Sequence, residues 1–339
     1  MSRGVCASMA PRRQRGVALI IALILVALSA ILASKLTFDG FLERRRTIGV
    51  LAAEQALQFG MGAEALAADV LARDRQKSQQ TTLAAPWAQP TQPFPITPEN
   101  DPEGEPIGTL QGVVEDMQGR FNLNNLAHVI TDPNLHTTVQ DSQPLEQFQR
   151  LLESVGLEPK WAAIARDWID PDDVPGSPDG AEDQIYTSQT PPYRTGNWPM
   201  MSASELMNLP GFGADRYRKI APYVTALPTA TAKINICTAP DRVLESLAKN
   251  MNGEYSNSPD LLTAERKAGC FPELGAFTNI IKNNLPPGTL LADLIDTKSY
   301  YFRLTTRVAL GTTEFTLYSL LLRDDNGKMT PLLRSFGTP

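Results

Sequence analysis

The sequence predicts an α+β fold: one long N-terminal helix, an antiparallel sheet drawn from two distant parts of the chain, and a large helical domain inserted in that sheet. Three observations carry this reading. Residues 17–34 run without a single charge. Residues 300–336 alternate with the two-residue period of strands. Between an early pair of strands and this late group, the pattern is helical and broken by an acidic loop.

The chain has 339 residues, 42% of them apolar, which is enough for ordinary cores and excludes wholesale disorder. Its formal charge is −6, from 31 basic and 37 acidic side chains, a poor balance for covering phosphate backbones. Two histidines, His128 and His136, cannot build a His-rich metal site. No Gly-x-Ser-x-Gly elbow and no His-Glu pair on a helix occurs, so nothing points to an enzyme. Asp132 and His136 fall within one helical turn of each other, but Pro133 argues for a loop there.

The first element is the charge-free run VALIIALILVALSAILAS over residues 17–34. It is close to the ~20 apolar residues that cross a bilayer. Arg3, Arg12, Arg13 and Arg15 precede it, while Lys35, Arg44, Arg45 and Arg46 follow, so positive charge alone does not orient it. A cleavable signal ending near Ala27 and Ser29, a plain anchor, and a processed anchor all fit the run. Beyond the apolar run, Ile48, Ala52, Ala56, Phe59, Ala63, Leu66, Ala67 and Val70 recur at steps of three and four, extending the helix as an amphipathic one. A single helix from Val17 to about Ala72 would be roughly 84 Å long at ~1.5 Å per residue. Gly40, Gly49, Gly60 and Gly62 weaken it by ~1 kcal/mol each.

Seven prolines between Thr81 and Pro106 exclude a helix there and predict an extended surface connector. Gly108 to Asn124 reads as two short strands around a turn near Asp116 to Gly119. At the far end, Phe302, Leu304, Thr306 and Val308 alternate with Tyr301, Arg303, Thr305 and Arg307. A further strand over Thr312 to Arg323, a turn at Asp325-Asn326-Gly327 and a returning strand over Met329 to Phe336 complete the sheet. The inserted domain is expected over 128–298 in two halves, about 140–200 and 201–285. Its helix-hairpin pieces are Pro144 to Asp170 and Ser202 to Val224. Leu209-Pro210-Gly211-Phe212-Gly213 resembles a helix-hairpin-helix, a fold that can offer backbone N–H groups to a phosphate but more often serves packing.

The strongest chemical signal is Asp167 to Tyr193, with seven acids (Asp167, Asp170, Asp172, Asp173, Asp179, Glu182, Asp183) and no Lys or Arg. Its prolines and glycines prevent a helix from spreading these charges apart. Trp168, Ile169, Ile185, Tyr186 and Tyr193 anchor the loop against the body. Hard oxygen ligands on an irregular loop suit Ca2+, which takes six to eight oxygens with loose geometry, better than Mg2+. A solvated acidic loop and a paired-carboxylate glycosidase site are the alternatives, the latter without any sugar cleft to support it.

Arg15-Gly16 followed by Val17-Ala18-Leu19-Ile20 resembles the processing site of type IV pilins and type II secretion pseudopilins. Asp167-Trp168 with Asp170 and Asp172, Gly180-Ala181-Glu182-Asp183, Tyr186, Pro191-Pro192-Tyr193-Arg194 and Asn197 are similar to the K-type minor pseudopilin's helical domain. The resemblance covers nearly the whole chain and implies a pilin-like long helix packed on an antiparallel sheet, with a SAM-like insertion. It further implies a leader over 1–16 cut between Gly16 and Val17, methylation of the new terminus, a transmembrane part over 17–34 within a helix over 17–75, connector and first strands over 76–127, and closing strands over 299–339. Ile21 stands where most pseudopilins carry a fibre-assembly glutamate, an absence typical of the K type.

The implied role is mechanical: a subunit at the tip of a short pseudopilus, nucleating it and limiting its length for export of folded proteins across the outer membrane. The implied partners are I-type and J-type minor pseudopilins, other pseudopilins, the prepilin peptidase and the inner-membrane assembly platform. The implied place is the inner membrane of a Gram-negative bacterium, single-pass, with the body in the periplasm. Structural Ca2+ is the implied cofactor, with Asp170, Asp172, Glu182 and Asp183 as the first-choice ligands and Asp167, Asp173, Asp179 and Asn197 as further candidates, and nucleic acid is not an expected partner. Removing the leader deletes Cys6 and four arginines, takes the charge from −6 to −10, and leaves Cys237 and Cys270 to bond in an oxidising compartment. The alternative is a membrane-anchored helix-hairpin-helix DNA-binding protein of competence type.

Overall fold

The computed structural model describes residues 15–337 except 90, 99, 102, 132–137, 250–265, 267–268, 272–280 and 282–290. Expectations for 1–14, for Asp132 and His136, and for most of 250–290 lie outside the described residues. The chain divides into two units, one up to Ala56 and one from Leu57 onward.

A helix, α1, runs over Arg15–Lys77, two residues beyond each end of the expected 17–75. In the first unit it is long and apolar enough to cross a membrane, and none of its apolar window is buried.

In the second unit the end of α1 lies on a five-stranded antiparallel sheet. Its strands are β1 (Phe94–Ile96), β2 (Gly108–Asp116), β9 (Tyr301–Leu310), β10 (Thr313–Arg323) and β11 (Met329–Phe336), in the order β1-β2-β9-β10-β11. The alternation read from the sequence is the burial pattern: Phe302, Leu304, Thr306 and Val308 face inward. With Leu71 of α1 and Trp87 of the proline-rich connector, Phe302, Leu304 and Leu321 form the sheet's core. Trp87 meets Phe302 edge-on at 5.5 Å.

The helix buries only the small members of the stripe its periodicity suggests, among them Ala63 with Ala67 packed against the sheet core. Gly60, Ala63 and Leu71 are buried, while Phe59, Leu66 and Val70 remain exposed. Small residues let the helix approach closely: a Cβ on Gly60 would lie 3.1 Å from Leu317 Cδ2. Glu64 reaches from this face to Arg334 on β11, at 2.7 and 2.9 Å. The pairing holds its carboxyl below the ordinary range.

The connector is not merely an extended strap. It makes a short 3-10 turn at Pro86–Ala88 and adds β1 to the sheet edge, Phe94 opposite Leu110.

The expected pair of strands over Gly108 to Asn124 is corrected. After β2 a 3-10 turn at Met117–Gly119 carries the chain away, and β3 (Phe121–Asn122) pairs in parallel with β6 (Val224–Thr225) instead of returning along β2. Phe121, Leu123 and Leu126 belong to the insert's core, so the inserted domain begins near residue 117 and not at 128. It continues through the hairpin β4 (Val129–Thr131) and β5 (Thr138–Gln140), then α2 (Ser142–Ser154), α3 (Trp161–Asp167), α4 (Asp183–Tyr186) and α5 (Gly213–Ile220). After β6 come β7 (Ile234–Asn235) and α6 (Asp241–Ser246), and β8 (Ile295–Asp296) pairs in parallel with β7.

The insert has one core, not two separate halves. Phe121 stacks on Phe148 at 5.2 Å, and Trp161 meets Phe212 edge-on at 5.1 Å. Asparagines stitch its loops: Asn124 donates to Met200 O and Leu227 O and accepts from Met200 N. Asn122 accepts from Leu227 N at 2.8 Å. Cys237 and Cys270 are disulfide-bonded.

Candidate metal centre

The acidic loop starts where α3 ends. Trp161, Ala162 and Ala165 of α3 are buried in the insert's core, and this carries Asp167 to the helix end under cover, 1% exposed. Trp168 Nε1 donates to Glu205, and its ring lies 5.3 Å from that of Tyr186, which in turn meets Tyr193 at 5.4 Å. These rings hold the loop's two ends against the body. Ile185, expected as a further anchor, faces solvent.

One carboxylate oxygen each from Asp167, Asp170 and Glu182 lies within 4.8 Å of the other two, and all three residues are buried. Asp167 Oδ2 accepts from Gly176 N at 3.0 Å and Ala181 N at 2.7 Å, folding the intervening loop over itself. Both glycines are required by this approach. A Cβ on Gly180 would fall 2.2 Å from Asp167 Oδ2, and one on Gly176 2.8 Å from Asp167 Oδ1. Asp170 Oδ2 accepts from Gln140 Nε2 of β5 at 2.8 Å.

Among the described residues, Asp170 Oδ1, both Glu182 oxygens and Asn197 Oδ1 have no hydrogen-bond partner although they are buried. Burial, reinforced by the neighbouring carboxylates, pushes Asp170 up to about 6 and Glu182 up to about 7. Burial also raises Asp167. Buried acceptors left without donors, on carboxylates that repel one another, suit a hard cation by their chemistry: all oxygen, no thiolate, no imidazole.

Of the four first-choice ligands, the structure brings Asp170 and Glu182 together and adds Asp167. Asp172 is exposed, and its Oδ1 accepts from Val174 N. Asp183 accepts from Thr195 N and Oγ1 and lies 3.5 Å from Arg194, so it braces the loop's return. Asp173 accepts from Asn197 Nδ2 at 3.1 Å, and Asp179 is exposed. Asn197 holds a positive φ of 43°, and its Oδ1 is buried and unpartnered. Gln140 was not legible in the sequence, because it approaches from a hairpin 30 residues upstream of Asp170.

Two of the cations after the hairpin at Leu209 to Gly213, Arg216 and Arg218, are used internally. Arg216 donates to Gly211 O and Phe212 O and lies 5.3 Å above the Trp161 ring, while Arg218 pairs with Asp215 at 2.8 Å. His128 pairs with Asp141 at 3.0 Å, and the other Asp141 oxygen caps α2 through Gln143 N.

Comparison with known proteins decides the family. Type II secretion system protein K of Aeromonas hydrophila is 32% identical over 96% of this chain and 98% of its own length. The chain belongs to the type II secretion system protein K family. Protein K of Pseudomonas aeruginosa is 33% identical over 96% of this chain and 94% of its own. The model of the family "Type II secretion system (T2SS), protein K" matches residues 119–229. That span opens where the chain has just left the sheet and takes in the whole acidic loop. A chain of the crystal structure of the GspK-GspI-GspJ complex from enterotoxigenic Escherichia coli matches with a TM-score of 0.69 at 25% identity, covering 87% of this chain and all of that one. The pilin-like helix, sheet and inserted helical domain are thus a protein K fold.

Proposed function

We propose that this chain is the K-type minor pseudopilin at the tip of a type II secretion pseudopilus, a structural subunit and not an enzyme. It nucleates the fibre with I-type and J-type minor pseudopilins and limits its length. The observation that carries this reading is the insert: a domain with its own core, set between neighbouring strands β2 and β9 of a pilin-like body. Such a bulk suits an end of a fibre better than its interior. Likeness to a chain of the GspK-GspI-GspJ complex supports the choice of partners. The apolar part of α1 anchors the chain in the inner membrane after cleavage between Gly16 and Val17, with the body in the periplasm. Phe59, Leu66 and Val70, exposed on α1, extend the apolar surface a neighbouring helix can pack against.

In this reading Ca2+ is held by Asp167, Asp170 and Glu182, with Asn197 Oδ1 as a neutral ligand, and Asp172, Asp173 and Asp179 are outer charges. The ion offsets two of the trio's three negative charges and fixes the loop; it activates no substrate. The test is co-purification of the full chain with its own I-type and J-type subunits from detergent, combined with pseudopilus length measured in cells lacking the chain. A stable three-subunit complex and longer fibres are expected. Failure of the three to associate, with fibre length unchanged, overturns the tip assignment.

A further inference from the structure

The insert leaves the sheet after Asp116 and returns through Ser299, and these two stems meet in a buried polar joint. Asp116 Oδ2 accepts from Ser299 Oγ at 2.6 Å, Thr238 Oγ1 at 2.6 Å and Asn235 Nδ2 at 2.9 Å, while its Oδ1 accepts from Gln118 N at 2.9 Å. Asn235 and Thr238 come from deep within the insert, 119 and 122 residues after Asp116 in the sequence, and Asn235 is 64 residues before Ser299. Asn235 Nδ2 also lies 2.9 Å from Thr81 O, in the connector after α1. Thr81 Oγ1 accepts from Arg323 at 2.6 Å, and Arg323, 2% exposed, also donates to Leu71 O of α1 and to Ser299 O. The network therefore joins the spine helix, the connector, the sheet, both stems and the middle of the insert.

Close approach is built in at Gly119. A Cβ there would lie 2.8 Å from Thr238 Oγ1 and 3.1 Å from the Thr238 carbonyl. An apolar plug of the same volume would stabilise the contact at least as well as a buried carboxylate. What the carboxyl adds is direction: its four donors are satisfied in one arrangement only, and any pivot of the insert strands a buried polar group. Two chain crossings alone are a tether; with the Asp116 network they become a weld.

We propose that the Asp116 joint makes the insert and the helix-sheet body one mechanical unit, so that displacement of the spine passes to the insert without a hinge. The use of that rigidity at a fibre tip rests on the function proposed above; the coupling itself is a property of the chain and is tested apart from it. The full chain in detergent micelles is compared with Thr238→Val, Asn235→Leu and the hydroxyl-retaining Thr238→Ser. Calorimetry counts unfolding transitions of the body. Spin labels at Arg307→Cys on the sheet and Lys219→Cys on the insert, in a Cys6→Ser background, report the distance distribution between them.

The wild type and Thr238→Ser are expected to give one transition and a narrow distribution. Thr238→Val and Asn235→Leu are expected to split the transition in two and to broaden the distribution at least twofold. A single transition with an unchanged width in Thr238→Val, at whatever Tm, overturns the proposal, as do two transitions in the wild type. Should Asn235→Leu fail to fold, Thr238→Val alone decides.

Discussion

Replacing Glu182 by Gln is expected to stabilise the metal-free protein at neutral pH, an unusual sign for a change at a buried polar position. Both Glu182 oxygens are buried without a donor, and the carboxyl is pushed from 4.5 up to about 7 by burial and then by Asp167, Asp170, Asp173 and Asp172. A tenfold change in proton affinity is worth ~1.4 kcal/mol, so ionising this group in the fold costs on the order of 3 kcal/mol. Because the folded value is raised, the folded chain binds the extra proton between about pH 4.5 and 7. Metal-free stability is therefore highest at the acid end of that window and falls as pH rises through it. Asp170, pushed up to about 6, adds to the same slope. Gln removes the charge and can donate to the neighbouring carboxylates, giving a gain of about 1–3 kcal/mol near pH 7.5 and a flatter pH profile. With calcium the order reverses: a ligand at about 1,000 times its Kd adds ~4.1 kcal/mol to the wild type and little to the variant. Urea unfolding of the full chain in detergent, with chelator and with calcium, near pH 5 and pH 7.5, measures all four corners. A variant less stable than the wild type in chelator near pH 7.5, or one still stabilised by calcium, refutes the reasoning.

Gly180→Ala places a Cβ 2.2 Å from Asp167 Oδ2 and from Gly176 N, so a loss of about 2–3 kcal/mol is expected in thermal unfolding, with weaker calcium uptake. Gln140→Leu removes the donor that holds Asp170 Oδ2 and is expected to weaken calcium binding by roughly tenfold in titration calorimetry, leaving the fold intact by circular dichroism. Replacing Cys237 and Cys270 by Ser opens a loop closed over 33 residues and is expected to cost about 4 kcal/mol, read as a lower urea midpoint under non-reducing conditions.

Periodicity made the spine helix and the last three strands legible, because each buries one face and its pattern must follow. It misled where side-chain size, not hydrophobicity, sets the contact: of the stripe it picks out, Ala63 is buried but Phe59, Leu66 and Val70 are exposed, and Gly60, outside that stripe, lets the helix lie closer on the sheet. The start of the insert was hidden because Phe121 and Leu123 alternate as a strand of the sheet would, while their partners sit beside β6. The acidic loop announced its chemistry through composition alone. Its geometry depended on what no local pattern encodes: Asp167 is central because α3 delivers it buried, and Asp183 is turned aside by Thr195 and Arg194. Asn122 and Asn124 gave no signal, since their work is done on backbone far away in sequence.

β2 and β9 are antiparallel neighbours, with Asp116 opposite Phe302, so in topology they are a hairpin whose loop has grown into a domain. Such a loop can be exchanged without disturbing strand order, and a tight turn joining Asp116 to Tyr301 would leave a minimal helix-and-sheet protein. The excision has a marked scar: Asp116, Thr81 and Arg323, now enclosed, would face water and lose the partners that the insert and its stems supply. An engineered minimal form therefore needs these three positions redesigned along with the turn, and a graft of a different domain needs an Asn and a Thr placed to meet them.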